Sequence, residues 1–222
     1  MDIKNRINVL FVLCLLLFSI SLVKQTNKVQ GKQVKETILA VRRISLSDRY
    51  SNKYVNNIFK DNILLTLFYM RYKNISANKI NWKRVKEPFR YALILKPNQT
   101  FAFHSNVLPK YIGKIDKTTN AHFNSKEGFK SDGYLTGDGV CHLASLMYWV
   151  SSSAHLKSYA PVRHSFAVIP DIPARFGVSI YDSGNNYGSE LQNLYITNNL
   201  KNTVSFVFNY DGKNLKISAI EL

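Results

Sequence analysis

The residue with the most chemical reach in this chain is Cys141. The sequence holds two cysteines, and the other, Cys14, lies inside an apolar run, so Cys141 has no disulfide partner in the rest of the chain. A leftover thiol in an exported chain is an inert buried side chain, an intermolecular link or a reactive nucleophile. Its setting is GDGVCHLASLMYWVSSSAHL, where Leu143, Met147, Val150 and Ala154 recur at spacings of three and four. That periodicity predicts a helix of about four turns starting near Val140, with Asp138 or Gly139 at the cap and Cys141 in the first turn. Free N–H groups and the positive end of the helix dipole favour the thiolate there. The same N–H groups can receive negative charge developing on a substrate carbonyl oxygen.

A base for the thiol is predicted downstream. VRHSFAVIP reads as a strand with His164, Phe166 and Val168 on its core-facing side and Arg163, Ser165 and Ala167 on the other. An imidazole at His164 would act as general base toward Cys141 and then protonate a leaving amine. The same spacing also describes a core histidine bonded to backbone. His142 points elsewhere on the helix and is read as a substrate contact, with Gly139, Arg163 and Ser165 as further substrate-binding candidates. Asp138, three residues before the thiol, opposes its ionisation, and Arg163 offsets this. Triad logic calls for a residue to orient His164. Asp171, Asp182 and Asn198 are the candidates, and Asp182 ranks first because it flanks the Gly-rich DSGNNYGS segment. His104, His122 and His155 show no ligand spacing, and Cys-x-x-Cys, His-Glu-x-x-His and Gly-x-Ser-x-Gly are all missing, so neither a metal nor another cofactor is expected.

The elements that must position these groups follow from patterning. Ile58, Phe59, Ile63, Leu67 and Met70 mark an amphipathic helix over 55–72. YALILKPNQTFAFH gives two short strands broken at Pro97-Asn98. The Gly-, Asn- and Lys-rich stretch from Tyr111 to Gly139 reads as a long loop, and the final twenty residues form a hairpin around Asp211-Gly212. The expected fold class is α+β: one compact domain with the Cys-bearing helix packed on a mostly antiparallel sheet, preceded by an N-terminal membrane segment.

The membrane segment is the run from Ile7 to Val23, with Lys4 and Arg6 before it and Lys24 after it. Its length suits an uncleaved signal anchor or a signal peptide cut near Ser19-Ile20-Ser21. Residues 1–23 are assigned to it, 24–50 to a polar stalk, and 51–222 to the domain. With 30 Lys and Arg against 14 Asp and Glu, the formal charge is +16, which calls for a polyanionic neighbour. Export makes anionic wall polymer the fitting partner and argues against nucleic acid.

Over roughly residues 85–210 the chain resembles the VanW family of bacterial envelope proteins. The resemblance is carried by LILKPNQTFAFHSNVL, GDGVCHLASLMYWV, RHSFAVIPD, RFGVSIY and LYITNN. Asp138 stands where the family usually has a Gly, and His142 where it has a Gln. The resemblance implies an extracytoplasmic location in the cell envelope. It also implies, as in some members, an L,D-transpeptidase-like joining of peptidoglycan stem peptides through a Cys thioester. Cys141 then matches the family's Cys and His164 the His of its Arg-His-Ser motif. A Cys peptidase or amidase of peptidoglycan, and a non-catalytic wall-binding module, are the alternatives.

Overall fold

The computed structural model describes residues 36–72, 75, 79–182 and 188–222. From Glu36 onward the described residues form a single mixed α+β domain. Its larger sheet joins four antiparallel strands in the order β1, β7, β6, β2: Thr37–Ser45, Asn214–Glu221, Val204–Tyr210 and Phe89–Leu95. A second antiparallel sheet orders β3 (Thr100–Ala102), β5 (Tyr195–Thr197) and β4 (Lys157–Tyr159). The Pro97-Asn98 break therefore turns the chain from one sheet into the other. Asn98 takes φ 65° there, a region that Asn tolerates better than most residues.

The C-terminal hairpin is present as expected. β6 and β7 pair from Val204↔Glu221 to Tyr210↔Leu215. The Asp211 carboxylate caps the connection by accepting from the Lys213 and Asn214 N–H groups at 2.9 and 2.6 Å.

Two helices cover the sheets and meet each other. The helix expected over 55–72 is α1, Lys53–Arg71, capped by Asn52 through the Tyr54 and Val55 amides. Residues 61–70 are all buried, so its second half is enclosed on every side rather than on one face. A short helix, α2 (Trp82–Lys86), follows. The Cys-bearing helix is α3, Val140–Ser153, packed on β1, β7, β4 and α1. Leu143, Met147 and Val150 are fully enclosed, as their spacing predicts, and so are Ser145 and Leu146. Each fully buried Leu or Val contributes about 1.5–3 kcal/mol relative to exposure, which pins the helix and hence its first turn.

Two sequence expectations are corrected. The proposed stalk over 24–50 includes β1, an edge strand paired with β7 along its length with one register shift between Ile38 and Ala40. Its Lys and Arg residues hid a strand because the alternation TILAVRRIS buries only one side. The segment 162–170 is irregular rather than a strand. Phe166 and Val168 are 72% and 87% exposed, so they do not share a core face with His164. Pro161 and Pro170 bracket the segment, and proline cannot donate to a ladder. Among the described residues no helix is long and apolar enough to cross a membrane. The run Ile7–Val23 lies outside the described residues.

Candidate active site

The site begins where α3 starts. Gly139 is its N-cap, with φ 96° and no side-chain cap. A Cβ there would lie 2.6 Å from the Phe59 carbonyl oxygen, so only glycine lets α1 approach this closely. Asn62, fully buried in α1, holds the preceding loop: its Nδ2 donates to the Asp138 and Lys130 carbonyls at 2.8 and 2.9 Å, and its Oδ1 accepts from the Lys130 N–H at 2.9 Å. The Val140 and His142 amides donate to Gly137 and Gly139 carbonyls at 3.0 Å each.

Cys141 lies against the extended segment 178–180. The Ile180 N–H donates to Sγ at 3.4 Å, and the thiol faces the Ile180 carbonyl at 3.7 Å. One helical turn along, the Val178 N–H donates to Ser145 Oγ at 2.8 Å, and that hydroxyl donates to the Cys141 carbonyl at 2.7 Å. Four helical residues rise about 6 Å and two extended residues about 6.6 Å. Alternate amides of the segment therefore meet the side chains at positions i and i+4 of the helix. The expected thiolate is not what this setting favours. Burial pushes the Cys141 thiol up to about 11, and Asp138 pushes the same way; the Ile180 and Cys141 amides only partly oppose them.

His164 is buried, at 8% exposure. Its Nδ1–H donates to the Ala167 carbonyl at 3.0 Å, which leaves the lone pair on Nε2. The Phe166 ring lies against it, centroid to centroid 4.0 Å. Gly177, from the Arg-Phe-Gly step, packs beneath: a Cβ there would come within 2.9 Å of the His164 carbonyl. Burial lowers the His164 pKa, so the ring is neutral at pH 7 and competent to take a proton.

Cys141, His142 and His164 open into one cleft of about 560 Å³, whose wall also carries Tyr50, Asp138 and Asp182. Asp182 faces this cleft but accepts from Asn106 Nδ2. It also raises the pKa of the buried His104, which burial lowers overall. The group bonded to His164 Nδ1 is the Ala167 carbonyl, in the position where Asp182 was expected. Asn198 braces a turn through the Leu95 and Asn202 carbonyls, and Asp171 sits 3.8 Å from Arg49 Nε. Arg163 and Ser165 are exposed and do not line the cleft. Among the described residues no three His, Cys, Asp or Glu side chains are grouped to hold a metal ion.

Sequence reasoning missed Arg49 and Tyr50. Asn56 fixes them from α1, accepting from the Arg49 N–H at 2.9 Å. The Arg49 side chain is 2% exposed, reaching His142 Nδ1 at 3.0 Å and the Pro170 carbonyl. The one available signal was Tyr50, an aromatic residue ending a polar stretch.

A family model described as "VanW like protein" matches residues 79–220. No curated protein and no solved structure matches the chain.

Proposed function

The chain belongs to the VanW-like family, and on that premise, joined to the cleft, we propose that it is a cysteine-dependent acyltransferase of cell-wall peptide. The supporting observation is that Cys141 and His164 line one cleft, with the His164 Nδ1 proton committed to Ala167 and Nε2 left as the basic nitrogen. The thiol is protonated at rest, so the pair works as thiol and neutral imidazole. Proton transfer accompanies attack instead of preceding it.

In this reading the Cys141 proton passes to His164 as sulfur bonds to the carbonyl carbon of the third stem-peptide residue. The carbon–nitrogen bond to the terminal D-alanine breaks, and the imidazolium returns its proton to the departing amine. The neutral amine of a second stem then attacks the thioester; its proton passes to His164 and on to the sulfur as the carbon–sulfur bond breaks, which restores the Cys141 thiol and gives an L,D-transpeptidase-like cross-link. Asp132 and Asp138 line the cleft, and none of its described lining residues is Lys or Arg. In a chain of charge +16, this local reversal favours recruitment of an amine that arrives as its cation and gives up a proton before attack, over water, the route to a peptidase or amidase. Placement in the bacterial envelope, held by the N-terminal apolar run and the basic surface, belongs to the same proposal.

One observation favours a second reading. Sγ accepts the Ile180 N–H, and burial, with Asp138 adding to it, keeps the thiol protonated, as for a structural cysteine in a wall-binding module. Comparing wall cross-links in cells expressing the wild type or Cys141→Ala decides between them. Loss of one cross-link type in the variant supports acyl transfer; identical cross-links, with both proteins folded and present, support the binding module.

A further inference from the structure

The hydrogen bonds around His142 run in one direction. A guanidinium only donates, so the 3.0 Å contact from Arg49 Nη1 makes His142 Nδ1 an acceptor and places the ring proton on Nε2. Burial, then the charge of Arg49, then His164, drive the His142 pKa well below its ordinary value, which keeps the ring in this single neutral form. Nε2 faces the Tyr50 hydroxyl at 3.5 Å. The phenol oxygen is thus the acceptor on that side, and its own proton points elsewhere. Tyr50 lines the cleft, with its ring held 4.8 Å from Phe59 and 6.3 Å from His142. Burial keeps it a phenol, and although Arg49 favours ionisation, Asp138 and Asp132 oppose it.

We infer that Arg49, His142 and Tyr50 form a one-way chain of donors, and that the Tyr50 hydroxyl delivers its proton into the cleft as the hydrogen bond to an oxygen of the acyl substrate. Tyr50 is then a substrate-binding residue, and Arg49 a positioning residue that acts through His142. Arg49 also bonds the Pro170 carbonyl, so one buried side chain ties the start of α3 to the end of the segment carrying His164. The identity of the substrate rests on the acyl-transfer proposal. The direction of the chain does not.

The test has two arms on full-length protein. Long-range proton–nitrogen correlation spectra of the histidine rings, assigned with His142→Gln, should show His142 as the Nε2–H tautomer, unchanged from pH 8 to 5. In Arg49→Met the Nδ1–H tautomer of His142 should become populated, while Arg49→Lys, which keeps a donor, should retain part of the Nε2–H preference. A wild-type His142 that carries its proton on Nδ1, or titrates near pH 6.5, overturns the chain. In the second arm Cys141→Ala binds an N-acetylated stem tetrapeptide ending in D-alanine, with and without Tyr50→Phe. The hydroxyl's loss should weaken binding about tenfold. Equal affinity overturns the role of Tyr50 and spares the acyl-transfer proposal. No binding by either protein overturns the proposed substrate, and with it the role of Tyr50, while the spectra still decide the chain.

Discussion

The Ile180 backbone N–H donates to Cys141 Sγ at 3.4 Å, so the sulfur of α3 serves as an acceptor for the neighbouring extended segment. A thiol in this position is both anchored and desolvated. The helix start that favours its ionisation competes with burial, and burial wins.

Alkylation of Cys141 in the free protein should accordingly be slow at pH 7 and rise steeply above pH 9, following a thiol pushed up to about 11. Iodoacetamide labelling followed by mass spectrometry across pH 6–11 measures this. A plateau already reached at pH 8 would show an activated thiolate instead.

Substitution at the helix start separates a clash from simple backbone strain. Gly139→Ala places a methyl 2.6 Å from the Phe59 carbonyl oxygen at φ 96°, and should cost several kcal/mol, more than the roughly 1 kcal/mol of a strained but open site. Gly113→Ala, at φ 71° with nothing within 4 Å, is the control. Urea midpoints of the two variants should differ clearly; equal midpoints would mean that α1 and α3 part without cost.

Stability should fall on acidification. His104, His142 and His164 all have pKa values lowered by burial. Below about pH 6.5 the unfolded chain takes up protons that the folded one refuses. Stability from these rings is complete above that pH and is lost as pH falls toward their folded values, at about 1.4 kcal/mol per pH unit for each net proton. Asp138, raised to about 6 mainly by burial, has the opposite sign, since its folded form binds a proton first. Three rings against one carboxyl leave a net fall in melting temperature from pH 7.5 to 5. In His142→Gln that slope should be shallower, and an unchanged slope would remove His142 from the account.

The roles of His164 and Asp182 differ in kind. His164→Ala should lower acyl transfer about 100-fold or more, as loss of a general base does. Asp182→Asn should cost less than about tenfold, because the Ala167 carbonyl is the group bonded to His164 Nδ1. Single-turnover release of D-alanine from a stem tetrapeptide compares them. Equal losses would restore Asp182 to the position that Ala167 holds here.

What the sequence revealed was local. Leu143, Met147 and Val150 at helical spacing announced α3, and all three are buried. Asp211-Gly212 announced the hairpin through its turn chemistry. The His164 segment misled because Phe166 and Val168 alternate like a strand yet rim the cleft in the open. Arg49 and Tyr50 were hidden, since their contact with His142 spans more than ninety residues and depends on β1 pairing with the last strand of the chain. No local pattern carries that pairing.

The most direct test of the central claim is the intact mass of the purified protein mixed with a stem tetrapeptide whose amines are all acetylated, so that no acceptor amine is present. The account predicts a covalent adduct of one tripeptide acyl group on Cys141, D-alanine released in equal amount, and neither in Cys141→Ala. Release of D-alanine by Cys141→Ala at the wild-type rate, or a folded wild type that forms no adduct and releases none, would contradict it.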